Sequence, residues 1–368
     1  NIMINIFKQN NDKQILNDVY DKFKKDTWVN GSIVSTLEKN IKKFLKTRHS
    51  VSTCNSGSDA LLLALLADRK KDKDIYITTP ISYLASSSMP KFLNLNLIYI
   101  DVESNNYLMS LDKLEIFLKE CPYKIKKRIR GVINVELFGN TCNLDRLRKI
   151  SKKYRLSLIG DCAQSFGSLY KNKSTVSYYD YAITSFYPTK IFSCYGDGGA
   201  IFAKKNFKKI SLLKNNGHTN FNKSTCKVIG INSRLDSLQA HVLNKKLLRL
   251  KTTLGKKNLV SKFLYNNLHK NHKNPNFDKN VNSNNYIYSF YIVPKVRKKF
   301  LSFMNKNKIE CKTFYQKLLS SNKLLRPIYK TNLKNAEYCS KSLVSIPSHE
   351  SLTTSQLFKI TKSINGFK

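Results

Sequence analysis

The sequence predicts an α/β fold, on two observations. Short β-branched or apolar runs recur through the first two thirds of the chain, over Ile75–Thr79, Leu95–Ile100, Gly131–Val135, Leu156–Ile159, Tyr181–Phe186 and Gly199–Ala203. Between several of them lie amphipathic stretches such as Leu111–Glu120 and Leu144–Tyr154, the pattern of helices crossing over a largely parallel, buried sheet.

Length sets the domain expectation. A chain of 368 residues exceeds what one hydrophobic core usually fills. From about Arg234 the apolar positions Leu235, Leu238, Val242, Leu243, Leu247 and Leu250 predict a long helix leaving the sheet. The Asn/Lys-rich stretch Asn266–Asn285 reads as a loop, followed by a strand over Tyr286–Val293 and helical segments to the end. The expected division is a large α/β domain over 1–250 and a smaller α+β domain over 251–368.

Hydrophobic residues make up 41% of the chain and Tyr and Phe number 20 each, enough apolar material for a packed core. Eight cysteines, Cys54, Cys121, Cys142, Cys162, Cys194, Cys226, Cys311 and Cys339, show neither C-x-x-C nor Cys/His metal spacing, so no metal site is expected and they read as reduced, mostly buried small hydrophobes. The apolar run Ala60–Ala67 is far shorter than a membrane span, and the opening residues do not read as a cleavable leader. A cytoplasmic protein without membrane insertion is expected. The formal net charge of +41 makes a nucleic-acid-binding protein the rival reading. The lysines are scattered among asparagines along the whole length, which fits a solvated surface better than a dedicated binding face.

Four clusters carry chemical potential. Asn55-Ser56-Gly57-Ser58-Asp59 runs into the apolar segment Ala60–Ala67, and a helix start of this kind is either a plain cap or a seat for phosphate. Asp161-Cys162-Ala163-Gln164 ends an apolar strand, where open α/β sheets bind ligands; an ordinary strand-ending turn has the same appearance. Lys190 closes Ser185-Phe186-Tyr187-Pro188-Thr189-Lys190 after another strand, followed by Gly196, Gly198 and Gly199, a setting that can fix a lysine for imine formation, although in a chain this rich in lysine an ordinary surface residue has the same appearance. Asn232 and Arg234 lie within Gly230–Ala240 at the entry of the long helix, where a cap plus an exposed charge produces the same pattern.

Together these clusters resemble the fold-type I, pyridoxal-phosphate-dependent aminotransferases of nucleotide-linked keto-sugars, the DegT/DnrJ/EryC1/StrS family. Trp28-Val29-Asn30-Gly31 is similar to its N-terminal signature, and Ser345-Ile346-Pro347 with Leu352-Thr353 to its C-terminal one. The resemblance implies that Lys190 bears the pyridoxal 5'-phosphate, Asp161 partners the pyridine nitrogen and Gln164 the ring hydroxyl. Tyr83 is implied to stack on the ring, with Gly57, Ser58, Asp59 and Ser185 around the phosphate. Asn232 is implied to reach the cofactor phosphate of a second subunit, giving a homodimer with shared sites, and Arg234 to approach the sugar-nucleotide. Glutamate is the implied amino donor. Ile191 and Glu136 depart from the commoner Asn and His, and Tyr83 from Phe or Trp. The Gly230–Ala240 run favours a 3-keto dTDP- or UDP-hexose, with a 4-keto sugar second. A non-catalytic regulator, or the basic nucleic-acid-binding protein, is the alternative of another class.

Overall fold

The computed structural model describes residues 3–8, 12–25, 27–68, 71–218, 225–269 and 273–367. Among these, seven strands form the central sheet: β1 Ser50–Cys54, β2 Ile75–Thr78, β3 Asn96–Tyr99, β4 Ile129–Val135, β5 Ser157–Asp161, β6 Tyr181–Ser185 and β7 Gly199–Ala203. Their spatial order is β1-β7-β6-β5-β4-β2-β3. From β6 to β3 every pairing is parallel, whereas β7 is antiparallel to both β6 and β1. β1 therefore runs in the same sense as the parallel strands, and its carboxyl end emerges at the same edge as theirs.

Alternation along the strands divides the core in two. Ile133, Ile159, Ile183 and Ile201 face one layer, built on the helix Gly57–Asp68, whose residues Ala60 to Leu65 are all buried. A helix apolar on every side is one enclosed on every side. Val132, Leu158, Ala182 and Phe202 face the other layer with helices Leu111–Glu120 and Leu144–Tyr154. Both faces of the sheet are thus covered, which is why its strands read as nearly continuous apolar runs.

The long helix begins at Ser237, three residues after Arg234, because the Asp236 carboxylate caps it by accepting from Gln239 N–H at 2.7 Å. It continues without a break through residue 250 to Asn267. Leu243, Leu247 and Leu250 join the sheet core. Val260 and Leu264 join a separate cluster with Phe290, Phe300, Val344 and Ile360. In that second body β8 Tyr288–Tyr291 pairs antiparallel with β9 Leu343–Ile346. Ile4 belongs to the same cluster and bridges to Ile309, so the first described residues pack with the last third of the chain.

Two expectations need correction. β1 was not anticipated, because Ser50-Val51-Ser52-Thr53-Cys54 carries little apolar signal although four of its five residues are buried. The Asn266–Asn285 stretch is not all loop: the helix occupies its first residues, and Val281–Asn282 pairs with Leu169–Tyr170.

Candidate active site

At the carboxyl edge of the sheet lies a cavity of about 530 Å3 whose lining includes Lys190, Asp161, Gln164, Tyr83, Ser58 and Ser185. Strand register explains the convergence. Gly199 is paired at once with Cys54 of β1 and Ser185 of β6, so the turn after β1 arrives beside the end of β6. A Cβ on Gly199 would lie 2.4 Å from the Ser56 carbonyl, and one on Gly57 would lie 2.7 Å from Ser185 Cβ. Both positions need glycine for that close approach.

Helix Gly57–Asp68 starts there, with Ser56 Oγ accepting from Asp59 N–H at 3.1 Å. Gly57 and Ser58, the first two residues of this helix, line the cavity, and a helix start is suited to a phosphate. Asp59 lies apart from the cavity lining: its carboxylate accepts from Ser233 Oγ at 2.7 Å.

Asp161 is 8% exposed. Its Oδ2 accepts from Ser86 Oγ at 2.6 Å and its Oδ1 from Ala163 N–H at 3.2 Å. Burial raises its proton affinity, opposed by these two hydrogen bonds and by the positive charge of Lys190. Among the described residues no Lys or Arg forms an ion pair with it. Gln164 is fixed at both ends of its amide: Oε1 accepts from Phe138 N–H at 2.9 Å and Nε2 donates to Tyr315 OH at 3.2 Å. Lys190 closes a tight turn, its N–H donating to Tyr187 O at 2.8 Å, and its Nζ sits 5.1 Å from the centroid of Tyr286. Tyr83 is 60% exposed and offers its ring to the cavity mouth.

Glu136, one of the departures from the commoner family pattern, is fully buried. It accepts from the hydroxyls of Tyr179 at 2.7 Å and Thr175 at 2.8 Å, and from Ser165. Its carboxyl ties the turn after Asp161 to the segment carrying Thr175 and Tyr179, while burial raises its proton affinity.

Asn232 and Arg234 do not line this cavity. Asn232 bridges to Asn215 through the backbone, and Arg234 Nη1 donates to Asn215 Oδ1 at 3.1 Å. The cavity wall also contains Phe7, Tyr286, Phe314 and Tyr315, which the sequence reading did not single out. They come from segments distant in the chain, and no local pattern marks them. Ser82 and Ser86 had a faint signal, two hydroxyls at i and i+4 flanking Tyr83. Behind Lys190 a second cavity of about 280 Å3 is lined by Lys246, Arg249, Lys257 and His349 together with Asp12 and Glu350.

The family model described as the DegT/DnrJ/EryC1/StrS aminotransferase family matches residues 9–365. The chain belongs to this family. A relative from Pseudomonas aeruginosa, UDP-2-acetamido-2-deoxy-3-oxo-D-glucuronate aminotransferase, is 32% identical over 60% of this chain and 59% of its own length. The chain thus spans about three fifths of that relative. A Campylobacter jejuni family member, UDP-4-amino-4,6-dideoxy-N-acetyl-beta-L-altrosamine transaminase, is 26% identical over 95% of this chain and 93% of its own. A crystal structure of a DegT DnrJ EryC1 StrS aminotransferase from Brucella abortus superposes with a TM-score of 0.89 at 25% identity, covering 96% of this chain and 95% of that one. The family fold, a mainly parallel sheet with helices on both faces, is the one described above.

Proposed function

We propose that this chain is a pyridoxal-phosphate-dependent aminotransferase that transfers an amino group, from glutamate, to a nucleotide-linked keto-sugar. The observation that carries the reading is the convergence of Lys190, Asp161, Gln164, Tyr83 and the Gly57–Ser58 helix start on one cavity. The residues fit the cofactor. Among the described residues Asp161 is a buried carboxylate without an ion-pair partner, and a protonated ring nitrogen would supply the cation. The helix start with Ser58 and Ser185 offers hydrogen-bond donors for the phosphate.

When bound, the cofactor supplies an electron sink for the carbon that gives up its proton. Asp161 holds the ring nitrogen protonated, and Gln164, braced by Phe138 N–H and Tyr315, addresses the ring hydroxyl. Tyr83 covers one ring face. Lys190 serves first as the anchor and, once freed, as the base and acid that moves the proton. Asp59 acts at one remove, holding Ser233 beside the phosphate turn. Asn232 serves the cofactor phosphate of the neighbouring subunit of a homodimer, a role supported by its position outside this chain's own cavity, and Arg234 approaches the sugar-nucleotide. On this reading residues 1–250 carry the cofactor, 251–368 form the smaller domain, and the enzyme works in the cytoplasm. The preferred acceptor is a 3-keto hexose, in keeping with the name of the Pseudomonas relative. The Campylobacter relative's name, with its 4-amino sugar, keeps a 4-keto acceptor as the second reading.

Protein loaded with pyridoxal phosphate is expected to show a visible absorbance band that borohydride bleaches while fixing the cofactor covalently to Lys190. A panel of 3-keto and 4-keto nucleotide-sugars with glutamate, read by NMR of the product, decides the carbon; amination at C4 alone removes the 3-keto preference. Lys190→Ala is expected to abolish turnover with an unchanged circular dichroism spectrum, and retained turnover would falsify the assignment. Asp161→Asn is expected to bind cofactor yet lose activity by about 100-fold or more.

A further inference from the structure

We propose that Ser86, backed by Ser82, is a positioning residue for Asp161: a two-hydroxyl relay from the cavity wall to Oδ2 holds the carboxylate in place and in its charged form. This rests on the reading of Asp161 as the partner of the ring nitrogen. Ser82 and Ser86 are 3% and 0% exposed, and Ser86 stands in the first turn of helix Ala85–Phe92. Their oxygens are 2.6 Å apart, and Ser86 Oγ lies 2.6 Å from Asp161 Oδ2.

The chemistry orients the relay. An ionised carboxylate only accepts, so the single Ser86 proton goes to Asp161, and Ser86 must accept from Ser82. The outer residue, Ser82, lines the cavity next to Tyr83. An O–H donor at this distance from a carboxylate is among the stronger hydrogen bonds, and a second donor behind it polarises it further. Oδ1 is held by the longer 3.2 Å contact from Ala163 N–H, so the two oxygens are pinned from two directions and each still has a lone pair to offer.

Several other groups act on Asp161. Lys190 and Tyr315 influence it across the cavity, Cys162 follows it in the chain, and Glu136, just after β4, donates its N–H to the Asp161 carbonyl. Against burial, the Ser86 hydrogen bond is the largest influence favouring the carboxylate, ahead of Ala163 N–H and Lys190. Glu136 is satisfied by its own three hydroxyls and does not compete for Ser86.

The test uses pyridoxal-phosphate-loaded wild-type protein, Ser86→Ala, Ser86→Thr and Ser82→Ala, with the visible band titrated against pH. If the hydroxyl is lost, Asp161 takes up a proton more readily and the ring nitrogen loses its own. With the cofactor bound, the Lys190 nitrogen would then keep its proton to higher pH, because a neutral ring would withdraw less from it. The midpoint in Ser86→Ala is expected to rise by about half a unit or more, Ser82→Ala to shift the same way by less, and Ser86→Thr to return towards wild type. In Ser86→Ala, kcat is expected to fall about tenfold with KM little changed. An unmoved midpoint in both alanine variants, whatever happens to kcat, would overturn the relay and leave the aminotransferase reading standing. If wild-type protein forms no band with the cofactor, the cofactor reading falls and the relay with it. Should Ser86→Ala not fold, Ser82→Ala alone carries the decision, since only the outer hydroxyl is removed.

Discussion

Lys257 is 3% exposed, and its ammonium donates to the carbonyls of Tyr286 and Ser348 at 2.9 and 2.7 Å. Burial pushes its pKa down to about 8 from 10.5. Between those values the unfolded chain binds the extra proton and the folded chain does not, so this residue's contribution to stability rises as pH rises from about 8 to about 10.5. Once neutral, the amine still has an N–H for each carbonyl. Urea midpoints at pH 7 and pH 9.5 are expected to show a more favourable pH dependence in wild type than in Lys257→Met; equal dependence in the two would count against it. Nothing in the sequence distinguishes Lys257 among 65 Lys and Arg residues, because burial is decided by partners far along the chain. The placement of Lys190 and Asp161 at the cavity was legible for the opposite reason: Asp161 ends β5 and Lys190 follows β6, and strand ends at one sheet edge converge whatever the distant segments do.

The seam between β1 and β6 depends on Gly199. In Gly199→Ala the new methyl would meet backbone, the Ser56 carbonyl at 2.4 Å, so the turn leading to Gly57 would have to move. We expect a stability loss of about 1–3 kcal/mol and, in addition, weaker cofactor retention, measured by denaturation and by dialysis against buffer. Loss of stability with unchanged retention would show that the turn does not seat the phosphate. The parallel strands were readable because both their faces are buried and their runs apolar. β1 was not, since its serines and threonine hide a buried strand behind a polar composition. The Leu352-Thr353 signature has a local physical meaning: Thr353 and Gln356 form a reciprocal capping box that starts helix Thr354–Asn365.

The whole molecule carries +41 formal charges, and its lysines are dispersed. We therefore expect at most weak nucleic-acid binding that falls steeply with salt, as seen in a titration from low to physiological ionic strength; tight, sequence-selective binding at physiological salt would instead favour the rival reading. Sedimentation of the active enzyme is expected to show at least a dimer, and a fully active monomer would remove Asn232 from the shared site. The homodimer is an expectation from family resemblance alone, because a single sequence does not say which of its surfaces meets another copy. The exposed Trp28, stacked on Phe23 at 6.0 Å, has no such reading of its own.

Ile4 exchanges backbone hydrogen bonds with Lys308 and Glu310, Ile6 N–H is held by the Glu310 carboxylate at 2.9 Å, and Phe7 then stacks on Tyr286 in the cavity wall. Residues 4–7 thus act as a strap that builds one side of the pocket from a segment far away along the chain. Loosening its anchor at Glu310 would shift Phe7 against Tyr286, the ring over which Lys190 lies.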